Sequence, residues 1–129
     1  MDFMEIGKII KNYFKALEGG NYENVLRLFT EDAIIFSPLY GKKKASDFYR
    51  DLFKDTSTSK ITLLNILKGE TEFIGAGHFQ YDWILNDGTS TSFECVDVFQ
   101  FAKDGRIRQV SIIYDTANIR PSFEKSKIT

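Results

Sequence analysis

The sequence has one cysteine, Cys95, one histidine, His78, and two prolines in 129 residues. A single cysteine excludes an internal disulfide, and a lone histidine leaves no cluster for a zinc or iron site, so no metal is expected. Neither sign of charge dominates: 17 Lys and Arg against 18 Asp and Glu give a net charge of −1. That balance provides no electrostatic footprint for nucleic acid. The run Lys42, Lys43, Lys44 is the one basic cluster and reads as a solvated loop. Long apolar runs are also lacking. The N-terminus, MDFMEIGKIIKNYF, interleaves charges with apolar residues, which fits neither a signal peptide nor a membrane span, so a cytoplasmic protein without membrane contact is expected.

Aromatic residues, by contrast, are abundant: 12 Phe, 6 Tyr and 1 Trp. The length suits one domain over residues 1–129. So many rings exceed what closing a core of that size requires, which points to an aromatic-lined cavity.

Phe3, Ile6, Ile10, Tyr13, Phe14 and Leu17 recur at three- and four-residue spacing, predicting an amphipathic helix closed by Gly19 and Gly20. Asn21 reads as the N-cap of a short second helix. A brief apolar run, Ala33 to Phe36, stops at Ser37-Pro38, and a third helix is predicted from about Lys44 to Lys54. From Ile61 the period changes to two. Turn signals at Lys68-Gly69, Asn86-Asp87-Gly88 and Asp104-Gly105 divide the remainder into strands over 61–67, 71–85, 89–102 and 106–115. Helices followed by an antiparallel meander predict an α+β fold, a curved antiparallel sheet packed on three N-terminal helices.

The stretch FECVDVFQFA sets Phe93, Cys95, Phe99 and Phe101 on one face of a strand, with Asp97 among them. A carboxylate there must find a donor, face water, or keep its proton, because desolvation penalises the anion. Once neutral, the acid becomes a hydrogen-bond donor for a carbonyl or phenol oxygen. If Asn86-Asp87-Gly88 is a three-residue loop, Leu85 pairs with Thr89 and Gly77 falls opposite Asp97, leaving open volume beside the carboxylate. The same register surrounds the acid with Phe79, Tyr81 and Trp83. Tyr13 lies on the apolar stripe of its helix; buried, its hydroxyl needs a partner, and Asp97 is the natural candidate.

The order of elements, with YFKALEGGNYENVLRLFTEDAIIFSP early and VDVFQFAKDGRIRQVSIIYDTANIR late, resembles the nuclear transport factor 2-like superfamily, whose members include ketosteroid isomerases and SnoaL-like polyketide cyclases. The resemblance implies a cone-shaped, cystatin-like fold with a deep apolar pocket at one end. It places Tyr13 at the tyrosine and Asp97 at the neutral aspartic acid that together stabilise an enolate in the isomerases, the superfamily's known example of an acid kept protonated by an apolar site. The proton-shuttling aspartate before the strand-ending proline is replaced, since that slot reads Phe36-Ser37-Pro38. A serine hydroxyl without an activating partner is no base near neutral pH. The SnoaL-like cyclases suggest another base, their acid/base aspartate corresponding to Asp115.

Asp115 itself is undecided by the residues. A two-residue Asp104-Gly105 turn points Val110, Ile112 and Tyr114 inward, whereas a three-residue turn or a bulge points Ile113 and Asp115 inward. His78 falls on the face opposite Phe79 and Tyr81, and Ser37 and Tyr40 flank the expected mouth. On the outer face Val96 and Val98 lie between Glu94 and Gln100, a mixed surface suited to a two-fold interface, and a homodimer is expected.

These readings combine into one expectation. The chain binds a small apolar molecule bearing a carbonyl or hydroxyl group, with Tyr13, Asp97 and Asp115 as catalytic candidates and Ser37, Tyr40, Phe79, Tyr81, Trp83 and Phe99 as ligand contacts. Any reaction would be a cofactor-independent isomerisation or cyclisation. The alternative is a non-catalytic binding or protein-interaction module on the same fold.

Overall fold

In a computed structural model that describes residues 1–128, the predicted stripe becomes the buried face of helix α1 (Phe3–Gly19), with Ile6, Ile10, Tyr13, Phe14 and Leu17 turned inward. Asp2 starts the helix by accepting a hydrogen bond from the Glu5 amide at 2.8 Å. Gly20 ends it in the left-handed conformation, at φ 69°. Asn21 caps α2 (Tyr22–Leu26) through its side chain, as expected. Helix α3 spans Ala45–Asp55 and buries Phe48, Tyr49 and Leu52. A fourth helix, α4 (Arg120–Ser126), was not legible, because seven residues with a proline in the first turn show no helical period.

Six strands form one sheet: β1 (Phe29–Ser37), β2 (Gly41–Lys44), β3 (Thr56–Lys68), β4 (Ile74–Leu85), β5 (Ser90–Phe101) and β6 (Ile107–Ile113), in the order β2-β1-β6-β5-β4-β3. The α+β class and the meander β3 to β6 follow the expectation. Two points correct it. The lysine triplet is not a loop: Lys42, Lys43 and Lys44 make β2, an edge strand paired with Phe36, Ile35 and Ile34, where lysines discourage further strand addition. The sheet is also not wholly antiparallel, because β1 lies parallel to β6.

The register of the central hairpin is as predicted. The Leu85 amide bonds the Thr89 carbonyl at 2.9 Å across Asn86-Asp87-Gly88, and Gly77 pairs with Asp97 and Phe79 with Cys95. Along the inner face of β4 the side chains grow from Gly75 and Gly77 to Phe79, Tyr81 and Trp83. At the small end α1 seats directly on the strand. A Cβ on Gly75 would stand 2.5 Å from Ile6, and one on Gly77 would stand 2.5 Å from the Phe14 ring. The open volume that the sequence leads one to expect beside the acid at Gly77 is therefore not there, because Phe14 occupies it. At the large end the rings hold sheet and helices apart; irregular pairing near Thr56 and Leu63 in β3, and near Gln100 at the opposite end of the sheet, bends the strands.

Helix α4 covers this wide end. Its Phe123 stacks on Trp83 (centroids 6.0 Å apart) and meets Tyr40 edge-on at 5.2 Å. Just beyond it, Lys127 donates to Oδ1 of Asp55 at 2.6 Å, while Tyr40 donates to Oδ2, also at 2.6 Å. Asp55 is only 2% exposed, so these two donors satisfy a carboxylate that would otherwise be stranded.

The seating of α1 carries a test. Gly77→Ala forces a methyl against a ring already packed on Phe79 and Tyr13, and a loss of about 1–3 kcal/mol is expected. Urea unfolding should show a lower midpoint at an unchanged slope; an unmoved midpoint would contradict the close approach.

Candidate functional site

The wide end encloses a cavity of about 40 Å³ lined by 14 residues, among them Tyr13, Ser37, Tyr40, Cys95, Asp97 and Tyr114. That is room for roughly three water molecules. Phe79, Tyr81, Trp83, Phe93 and Ile112 supply most of the apolar wall.

Asp97 is the polar centre. It is 2% exposed, and among the described residues its carboxylate has one hydrogen bond, from the Cys95 thiol to Oδ1 at 3.5 Å. Burial raises its pKa from 3.8 to about 7, against a smaller lowering by the thiol. A weak S–H donor cannot replace the water that an anion loses on burial, so desolvation dominates. Burial likewise pushes the Cys95 thiol well up, with the Asp97 charge adding to it. Cys95 is therefore a protonated donor and not a nucleophile.

Tyr13 lines the cavity as predicted, but its partner is different. Its hydroxyl bonds that of Tyr49 at 2.6 Å, and burial raises both phenols. Asp97 is close enough for its charge to raise them further, without a hydrogen bond to either. Tyr49 is not among the sequence candidates; its one sequence signal is a phenol on the apolar face of α3. Tyr40 donates to Asp55, Tyr81 shares a 2.8 Å hydrogen bond with Ser59, and the Trp83 indole donates to Thr56 at 2.8 Å. Ser37 Oγ accepts the amide hydrogens of Leu39 and Tyr40, so it closes the turn after β1.

Two predicted residues are not brought to the cavity. Phe99 is fully buried in the core, edge-on to Tyr13 and stacked with Phe101, outside the lining. Asp115 is exposed and accepts the Ala117 amide at 2.9 Å. The reason is that both alternatives for the last hairpin occur together. Residues 103–105 form a three-residue turn, with Ala102 bonded to Arg106, and an extra residue, Arg108, enters before Gln109. The two shifts cancel, so Asp97 faces Ile112, and Tyr114 instead of Asp115 joins the wall. On the outer face, His78 lies 3.0 Å from Glu94 and 3.1 Å from Asn65, away from the cavity as expected.

Among the described residues no group of three or more His, Cys, Asp or Glu could hold a metal ion, and no helix is long and apolar enough to cross a membrane.

A family model described as a SnoaL-like domain matches residues 10–110. No curated protein matches the chain. Among solved structures, the epoxide hydrolase/cyclase-like enzyme SalBIII, which has a role in pyran ring formation in the polyether salinomycin, superposes with a TM-score of 0.80 at 17% identity, over 91% of this chain and 95% of that one. A nuclear transport factor 2-like protein of unknown function from Burkholderia pseudomallei K96243 gives 0.78 at 17% identity, over 94% and 97%. Another, from Exiguobacterium sp. 255-15, gives 0.71 at 16% identity, over 83% and 98%. At such identities the structures show a common fold. With the family match over most of the chain, this protein is a member of the SnoaL-like domain family, and it has the fold of the nuclear transport factor 2-like structures.

Proposed function

We propose that the cavity binds a small, largely apolar molecule through one carbonyl or hydroxyl oxygen, which accepts a hydrogen bond from the neutral form of Asp97. The observation that carries this reading is a fully buried carboxyl, raised to about 7, in a ring-lined cavity with only a thiol beside it. A neutral acid without a strong internal partner is a free donor, and a ligand oxygen completes it. The volume narrows the ligand class. Pockets for drug-sized molecules hold about 300–1,000 Å³, so a cavity of about 40 Å³ calls for a ligand no larger than one ring and not a steroid.

A second reading, a cofactor-independent isomerase or cyclase, is favoured by the same acid, because a pKa near neutrality suits proton transfer in either direction. It is also favoured by likeness to SalBIII, a cyclase-like enzyme. Against it, Asp97 is the one carboxylate among the cavity-lining residues, and Ser37 holds the slot of the isomerase base.

We also propose that the chain pairs with a second copy through the outer sheet face. Phe36, Ser111, Val98, Ala76 and Leu67 pair in succession across five strands; Leu67, at the end of this row, is 51% exposed, and Ile113, beside it, is 56% exposed. Apolar surface of this extent on a sheet fits a two-fold contact. Val98→Glu should convert a dimer to a monomer in sedimentation; a wild type that is already monomeric would remove the proposal.

With p-cresol as probe at pH 6, Asp97→Asn should hold affinity within about threefold, and Asp97→Ala should lose about tenfold, because the site needs a donor and not a charge. Equal losses in calorimetric titration would defeat the reading. Stability supplies an independent check. Below about pH 4 folded and unfolded chains both hold the Asp97 proton; between about 4 and 7 only the unfolded chain releases it, so stability falls as pH rises, by up to about 4 kcal/mol, and stays level above that. Urea midpoints should show this decline for the wild type and its absence for Asp97→Asn.

A further inference from the structure

The polar groups around the cavity are nearly all engaged within the protein. Tyr13 is bonded to Tyr49, Tyr40 to Asp55, Tyr81 to Ser59 and the Trp83 indole to Thr56. Ser37 accepts two backbone amides. Tyr114 differs: it lines the cavity, and among the described residues its hydroxyl has no hydrogen bond. Its ring is fixed all the same, packed on Phe93 with centroids 4.4 Å apart and planes at 31°. Because Val96 pairs with Ile113, the next residue in each direction brings Tyr114 level with Cys95, on the face that carries Asp97. The fields of Cys95 and Asp97 both reach it.

A half-buried phenol that is held by its ring and left unpaired at its oxygen is a group with a vacant hydrogen bond to offer. We propose that the Tyr114 hydroxyl is a ligand-binding donor that works with Asp97, so that the site selects a molecule whose acceptor oxygen takes hydrogen bonds from a carboxylic acid and a phenol together. Burial raises the phenol's pKa, so it remains a donor throughout the ordinary pH range. Tyr13, the donor implied by family resemblance, already shares a hydrogen bond with Tyr49. The inference rests on the ligand-binding reading above and adds a second contact and a preference for acceptor oxygens.

The test compares p-cresol with toluene, the same ring without the oxygen, by NMR-detected titration at pH 6. Tyr114→Phe deletes one oxygen and preserves the contact with Phe93. The expected result is a loss of about 2- to 10-fold in cresol affinity, the worth of one net hydrogen bond, with toluene affinity unchanged. Cresol binding that is equal in wild type and Tyr114→Phe overturns this inference and leaves the cavity reading in place. A parallel loss for toluene also overturns it, by showing a packing effect. A wild type that binds neither molecule, or both equally, overturns both readings.

Discussion

The site depends on one imbalance: Asp97 gives up its hydration shell and receives only a thiol in return. Each strand neighbour contributes to that imbalance. Gly77 across the ladder brings no polar atom and admits the Phe14 ring, while Ile112 on the other side supplies an aliphatic wall. The two nearby phenols, which could have solvated the anion, are turned toward each other. Nothing close by favours the charged form strongly, so the acid holds its proton to about neutrality. If Tyr13 donated to Asp97 directly, the anion would gain a charge-assisted bond, and the carboxyl would release its proton at a lower pH.

Much of the fold was legible because period and punctuation agreed. The α1 stripe, the Asn21 cap and the Asn86-Asp87-Gly88 turn each carry a local physical signal, and the Gly77 to Asp97 pairing follows from the turn by counting. The failures occurred where two local signals interact or where no local signal exists. The last hairpin contains a long turn and an extra residue together. Each alone reverses the strand's faces and both together restore them, so the choice between Tyr114 and Asp115 depended on a sum that sequence does not display. Strand β2 carries no strand signal, because three lysines in a row have no alternation; an edge strand solvated on its open side needs none.

The site shows the same division. Asp97 was legible as an anomaly, a charge in an apolar strand. Tyr49 and Tyr114 were not, because a tyrosine on an apolar stripe looks the same whether its hydroxyl faces a cavity, another phenol or solvent. Phe99 illustrates the converse, since alternation gave its face correctly but could not say that Tyr13 and Phe14 would separate it from the cavity. Partnership between side chains distant in sequence, such as Tyr40 with Asp55 and Lys127, is a property of the assembled cone.

The gradient of side-chain size along β4 has a consequence for how such a protein changes over generations. At its glycine end, helix and strand are in contact with no slack, so substitutions there are felt by the whole scaffold. At its tryptophan end, the walls come from six segments, α1, the end of β1 with its turn, α3, β4, β5 and β6, and side chains on the five other than α1 can be altered without disturbing α1 on its seat. Inheritance can thus alter what the hollow accepts while the architecture stays constant, which is how one scaffold comes to carry many unrelated chemistries.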